Sequence, residues 1–565
     1  MRIKASTVQH AVFLIALTLA GNCDLSSRTA IAAQTEKSSG VSNRVLTGNY
    51  ERGIEALEKR DFSTAVHLLR LAIESDPRSA IARDALGRAY LASGQFGDAV
   101  IEFQRAVALN TEFAEAYFHL GSALGLRKET DGAVEAYQQA IRIRPEWAEA
   151  HDALGLVLSR GGNLLGAKRA FEAAIRIKPG FPEARYHLGG THWLLQNFDA
   201  AGAELQEAVR LRPTFADARY YLGLVYQQQN RMRDAISELQ QAKKINPDSA
   251  QIANSLGTIY EREGYLADAA EEYRRSIRLD PKMVEAQNNL GLLLLAQEDA
   301  EGAIQAFQAA LAENPSHLSA QNNLGLALLQ EGQWEHAARV FRDLLALDPQ
   351  YAEGYFNLGE ALRQTDQFEE AIQALHRSVQ INPQLAEAYH LLGVIFSQQG
   401  KLGEATTQFH AALKARPDYQ QARSSLGSVL RQQGYFEVAI RELRTALDLD
   451  PDDARAHQAL ATALRQTGAF AAASKEYRRV EELNKRRTNV QAATLATNIG
   501  VRRLGQGDIE GAIEKFREAL KVFPDFATAY YQLGIALRKL GDFPEAAAAF
   551  EKARILDPRL KPPRS

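Results

Sequence analysis

Residues 420–453 read QQARSSLGSVLRQQGYFEVAIRELRTALDLDPDD, and the fold can be worked out from this stretch. Ala422, Leu426, Gly427 and Leu430 share one face at helical spacing. Gly434 interrupts, and Ala439, Ile440, Leu443, Ala446 and Leu447 form a second apolar face before Pro451. The stretch predicts helix, turn, helix and stop. Two antiparallel helices joined by a short turn leave part of each apolar stripe in water, so one pair is not stable alone. Neighbours of the same kind must cover it.

Such neighbours are written into the chain. From Leu46 the 34-residue unit recurs fifteen times in the 565 residues, with prolines at Pro77, Pro145, Pro179, Pro213, Pro247, Pro281, Pro315, Pro349, Pro383, Pro417 and Pro451, and Thr111 standing in once. After a slip of register the beat resumes at Pro524 and Pro558. Copies therefore fill 46–487 as thirteen units and 493–560 as two more, with residues 488–492 as a register break, after a copy that has Lys485 where proline belongs. Between Gly468 and Gly500 there is neither Gly nor Pro, which predicts one long helix through the junction and two arrays meeting there. The expectation is an all-α solenoid in which each unit packs only on its neighbours, with almost no chain left for a catalytic domain.

Bulk is forbidden at two places of the unit. The eighth is Gly in fourteen of fifteen copies, Ala461 being the exception, and the twentieth is always Ala, from Ala65 to Ala546. The twenty-fourth takes Phe, Tyr or Leu, as in Phe103, Tyr137, Phe171, Leu205 and Phe341, which fill the space the small residues frame. Leu at seven, Gly at eight, Ala at twenty, an aromatic or Leu at twenty-four, frequent Ala at twenty-seven and Pro at thirty-two together resemble the tetratricopeptide repeat family, over about 90% of the chain. The resemblance implies a right-handed superhelix whose first helices line a concave groove. It also implies that places two, five, nine, twelve and thirteen reach bound peptide.

The N-terminus reads differently. Arg2 and Lys4 precede an apolar run from Ala11 to Ala20, and Ala30-Ile31-Ala32 offers small residues for signal cleavage. Residues 1–32 are expected to be a signal peptide and 33–45 a disordered linker, giving an exported protein, periplasmic or secreted. A lipid anchor at Cys23 or an uncleaved anchor are the alternatives. The apolar run of about ten residues is short against the roughly 20 that a membrane span needs. Cleavage after Ala32 would remove the only cysteine and shift the formal charge from −3 to −5, since Arg2, Lys4 and Arg28 leave with only Asp24. The near balance of 66 basic and 69 acidic residues gives no reason to expect nucleic acid as the main partner.

No catalytic constellation is legible. The twelve histidines are scattered, no Gly-rich phosphate loop or Ser elbow occurs, and no cofactor or metal site is expected. Attention moves to the groove that the resemblance implies. Its fifth place carries Phe118, Tyr186, Tyr220, Phe356 and Tyr531, with Asn254, Asn288 and Asn322 between them. Trp193, beyond Tyr186 on the same helix, makes copies five and six the richest candidate for an apolar anchor pocket, unless these rings complete interior packing. An acidic row runs through Glu115, Glu149, Glu183, Asp217, Glu285, Glu353 and Glu387 at the second place, where the helix dipole alone would favour carboxylates. A basic row of Arg363, Arg431, Arg465 and Arg538 occupies the twelfth place. Asn289, Asn323, Asn357 and Asn498 at the sixth place resemble the ladder in the repeat domain of O-linked N-acetylglucosamine transferases, but the transferase domain needs more chain than remains. No copy has the Lys at five that family members use to clamp a carboxylate.

These observations favour a non-enzymatic scaffold of the cell envelope or secreted space that binds an extended segment of a partner protein. One alternative is an accessory subunit of polysaccharide or glycoconjugate assembly that meets an anionic polymer through the arginines. Another is a repeat subunit of a glycosyltransferase complex without its own catalytic domain. At the C-terminus no extra helix follows the last copy, so an apolar face is expected there as a surface for self-association or docking.

Overall fold

The computed structural model describes residues 42–562. The leader, Cys23, most of the linker and residues 563–565 lie outside the described residues. Among those described there are 29 helices and no strand. The first helix, Ser42–Glu58, begins ahead of the first copy, so the last residues assigned to the linker are helical. Arg52, in place of the usual Leu, is exposed on it.

Each copy is built the same way. In copy two, Ala80–Ala92 is the first helix and Phe96–Leu109 the second. The turn between them is a Schellman motif: Gln95 N–H donates to the Tyr90 carbonyl at 2.8 Å and Gly94 N–H to that of Leu91 at 3.1 Å, with Gly94 left-handed at φ +78°. Six copies hold that left-handed place with a residue other than glycine, namely Arg60, Lys128, Gln196, Asn230, Glu298 and Asp366. A side chain there costs about 1 kcal/mol. Gln196→Gly is therefore expected to raise the thermal midpoint of its unit slightly, and a lowered midpoint in thermal denaturation would count against this reading of the turn.

The second helix ends where the residue before proline turns extended, as at Asp76 with φ −141° and ψ 92°. Copy two has no proline, and there the Asn110 side chain accepts from Glu112 N–H at 3.0 Å, a local turn that competes with helix. Copy thirteen also has an asparagine, Asn484, but Lys485, Arg486 and Arg487 follow it. These are good helix formers, and the helix continues from Phe470 to Gly505 over 36 residues. The unbroken junction helix expected from the sequence is thus present.

Copies are locked together by a repeated polar link. The side chain at the fourth place reaches back six residues to the proline carbonyl of the preceding copy: Arg219 to Pro213 at 2.9 Å, Gln287 to Pro281 at 2.7 Å, Gln321 to Pro315 at 2.9 Å and Arg423 to Pro417 at 2.9 Å. Arg219 also pairs with Glu238 at 2.6 Å and Arg423 with Glu442 at 2.8 Å, both partly buried.

The chain forms two compact units, which divide between Pro247 and Asp248. In the first, Leu57, Leu69, Phe103, Tyr137, Phe171 and Leu205 are fully buried; in the second, Tyr273, Phe307, Phe341, Phe409 and Phe516 are. All but Leu57, which is at the twelfth place of copy one, are twenty-fourth-place side chains. The glycines at the eighth place lie against them so closely that a Cβ on Gly155 would sit 2.5 Å from the Phe171 ring, and one on Gly500 2.5 Å from that of Phe516. Copy thirteen supplies the control. Its Ala461 already fills that space, and its ring, Tyr477, is displaced to a half-buried position.

Candidate functional site

Neighbouring first helices within each unit exchange side-chain hydrogen bonds between the fifth place of one copy and the sixth of the next, 35 residues on. Asp84 meets His119 at 2.7 Å and Asp152 meets His187 at 2.8 Å. In the second unit Asn289, Asn323 and Asn357 donate to Asn254, Asn288 and Asn322 at 3.1, 3.0 and 3.3 Å, and His390 bonds Ser425 at 3.0 Å. Asn254, Asn288 and Asn322, expected to face a ligand, thus spend an oxygen on this inter-copy ladder. The amide plane retains donors, but the row first of all holds the stack in register.

Four members of the acidic row are likewise engaged. Glu149 accepts from Lys178 at 2.7 Å and Glu387 from Arg416 at 2.6 Å, and Glu115 and Glu183 pair with Arg144 and Arg212. Each of those bases sits just before the thirty-second place and lies over the aromatic ring three residues on: Arg144 over Trp147 at 4.6 Å, Lys178 over Phe181 at 4.8 Å, Arg212 over Phe215 at 5.0 Å and Arg416 over Tyr419 at 4.9 Å. A carboxylate, a cation and a ring therefore tie the first helix of a copy to the loop that ends the same copy. The signal was present in the sequence, but only as a coincidence of three places in the same four copies.

The aromatic row divides. Tyr186 and Trp193 are 4% and 5% exposed, so both are interior residues. Tyr186 packs on Phe215 with centroids 5.0 Å apart and on Tyr221 at 5.8 Å, while Trp193 meets Phe198 edge-on at 5.2 Å. Burial raises the Tyr186 phenol far above its ordinary range. The anchor pocket expected at copies five and six is filled by the protein's own rings, because each ring there has another aromatic within reach. Trp193→Ala is expected to cost the first unit about 3–5 kcal/mol, read from chemical denaturation; a loss below 1 kcal/mol would return Trp193 to the surface. Phe118, Tyr220 and Phe356 stay half-buried. Phe118 stacks on Trp147 at 4.7 Å and Tyr220 lies against Tyr221 at 5.3 Å.

The basic row divides too. Arg363 is held by Glu360 in its own helix at 2.7 Å, with 16% of its side chain exposed. Arg431 is half-buried and its Nε has no hydrogen-bond partner, and Arg465 is exposed.

Open space is found in the second unit. A cleft of about 440 Å³ is lined by Phe356, Glu360, Arg363, Glu387, His390, Leu391, Val394, Gln398, Tyr419 and Arg455. A second, of about 650 Å³, shares His390 and Arg455 and extends along Leu483, Asn484, Arg486, Arg487 and Val490 of the long helix. His390 is the pivot. It packs on Phe409 and Tyr419 at 5.6 and 5.4 Å, and burial depresses it from 6.5 to about 4, against the pull of Glu360 and Glu387. A histidine held neutral in the fold but protonated in the unfolded chain adds stability above about pH 6.5 that is lost as the pH falls towards 4. His390→Gln is expected to flatten that part of the stability–pH curve; an unchanged slope between pH 6.5 and 4 would refute it. Copy eleven is the only one with His at the fifth place, but nothing in the sequence marked Tyr419 or Arg455 as its neighbours.

Among the described residues no group of three His, Cys, Asp or Glu side chains could hold a metal, and no helix is long and apolar enough to cross a membrane. Tetratricopeptide repeat models match residues 50–110, 84–146, 153–214 and 497–560, as well as 192–259 and 250–283, together more than half of the chain. The chain is a tetratricopeptide-repeat protein. A model described as the Cilia and flagella-associated protein 70 C-terminal domain matches residues 285–497. This repeat protein is 30% identical to a solved structure of MamA, over 31% of this chain and 95% of that one, with a TM-score of 0.29. It is 24% identical to pilF of Pseudomonas aeruginosa over 37% of this chain and 94% of that one, TM-score 0.32. With the Cut9–Hcn1 hetero-tetramer of APC/C it shares 16% identity over 88% and 99% of the two chains, TM-score 0.36. No curated protein matches the chain. Tetratricopeptide repeats make a scaffold suited to protein–protein interaction.

Proposed function

We propose that this tetratricopeptide-repeat protein is a non-catalytic scaffold that holds an extended segment of a partner protein in the cleft around Phe356, His390 and Tyr419. One observation carries the reading. Asp84, Asp152, Asn254, Asn288 and Asn322 at the fifth place each bond the sixth place of the next copy, whereas the apolar Phe356, Leu391 and Val394 line open space. Apolar walls with a few polar groups at the rim suit a peptide side chain flanked by main-chain hydrogen bonds. Phe118 and Tyr220, half-buried in the first unit, are secondary contact points. Replacing Phe356 and Tyr419 together by Ala is expected to weaken partner binding by 2 kcal/mol or more with the fold retained. Unchanged affinity in a folded double variant sinks this site.

A second reading rests on Arg455 and Arg487, exposed cleft residues whose side chains have no ion pair among the described residues, and on Arg431 and Arg465 nearby in sequence. They suit an anionic polymer, as an accessory subunit of polysaccharide assembly or of a glycosyltransferase complex would require. Salt separates the two, because arginine-led binding falls steeply with ionic strength and apolar anchoring does not. The leader-like residues 1–32 support a periplasmic or secreted location. Proteomics of fractionated cells tests it, and recovery of a chain starting at Met1 in the cytosol would refute it.

A further inference from the structure

Within the second unit the end of the chain comes back to its first turn. Copy seven has its first helix at Ala250–Arg262 and its second at Leu266–Leu279. Against the turn between them lies the segment that follows the last helix, Phe543–Leu556. The main-chain N–H of Lys561 donates to the Gly264 carbonyl at 3.2 Å. Its ammonium is 3.1 Å from the Glu263 carboxylate, a residue 298 positions away, and 5.4 Å from the centre of the Tyr265 ring.

Gly264 shows how close the approach is. It holds the left-handed place of its turn at φ +79°, and a methyl group on it would collide with the carbonyl of Arg559. At Gly434, the same place in copy twelve with φ +85°, nothing lies within 4 Å. Two further side chains agree. Tyr531, at the fifth place of the last copy, has no later copy to cover it, yet it is only 2% exposed and sits against the backbone at Ala267, near Asp268. Leu560 folds onto the core that Phe516, Leu537 and Phe550 share. The last copy is therefore covered in part, while Leu540, Phe543 and Ile555 on it remain exposed.

We propose that copies fourteen and fifteen are an intramolecular clasp, which closes copies seven to thirteen into a loop with Phe470–Gly505 as its arm. The arm explains the reach: 36 residues of helix at 1.5 Å each span about 54 Å, where a proline stop would have sent the chain back along the stack. These contacts gather at one inter-helix turn and leave the helix-to-helix packing of the other copies untouched, so they can open without unfolding the array. A long partner segment then enters the closed loop only by threading or by displacing the clasp, so clasp strength sets access. The clasp itself does not depend on the cleft being a binding site.

The test uses the full chain carrying C23S, R274C and K552C, spin-labelled at the two new exposed cysteines, with the distance distribution read by pulsed dipolar spectroscopy. Two asparagine variants are compared, because Asn230 already occupies the left-handed place at φ +60° and shows that the residue is tolerated there. The parent and Gly434→Asn are expected to give the same narrow distribution. Gly264→Asn, which collides with Arg559, is expected to broaden it to longer distances and to speed amide exchange at residues 265–268 at least tenfold. Lys561→Glu should broaden it as well, and adding Glu263→Lys should narrow it again. A broad parent distribution, a Gly264→Asn profile superimposed on the parent's, equal broadening in both asparagine variants, or no rescue by the charge swap would each overturn the clasp.

Discussion

Phe341→Ala is expected to destabilise the second unit by about 3–5 kcal/mol, among the largest effects available to a single substitution in this chain. The ring is fully buried between the two helices of copy nine, where Gly325 presses on its edge. Gly325→Ala is expected to cost about 1–3 kcal/mol by overpacking, because its Cβ would collide with a ring that is fully buried. The two losses should not add. With the ring gone, the new methyl has nothing to strike, so the double variant should lie well below the sum of the single effects. Chemical denaturation of the four proteins closes the cycle. Additivity within 0.5 kcal/mol would mean that the small and large places are not paired.

Lys485→Pro is the second large effect. Proline in a helix interior costs about 3 kcal/mol, since it removes one hydrogen bond and crowds the preceding turn. Here it would also restore the stop that the other copies use, breaking Phe470–Gly505 at the point where Asn484 already favours a turn. Exposed Leu495 and Ile499 lie on the later half of that helix, where the preceding copy offers no separate second helix to cover them. The expected result is a lower unfolding midpoint for copies fourteen and fifteen and faster amide exchange across residues 480–495. A midpoint and exchange pattern like the parent's would show that the junction is not held by helix continuity.

Gly155 against Phe171, the stop at Asp76-Pro77 and the unbroken run after Asn484 were all legible, because each follows from a local rule that the chain repeats many times. The side-chain traffic between copies was harder to foresee. A period of 34 displays what sits at one place in every copy, whereas the bonds of Asn254 with Asn289 and of His390 with Ser425 join different places 35 residues apart. Nor does burial follow from place alone. Tyr186 and Phe356 hold the same fifth place, yet Phe215 and Tyr221 close over the first, while Leu391 and Val394 leave the second beside open space. The return of Lys561 to Glu263 was invisible for a simpler reason: it depends on how curvature accumulates over many copies, to which no single residue testifies.

The most direct test of the scaffold reading places a photo-crosslinking amino acid at Phe356 or His390 in the intact protein, and at the exposed Arg441 of the second helix Phe436–Leu449 as control. Crosslinked peptides would be sequenced by mass spectrometry. The account predicts that both cleft positions capture one continuous segment of a single partner protein, that Tyr419→Ala abolishes the capture, and that the control does not share it. Capture of a glycan, or equal capture of the same segment from the control position, would contradict it.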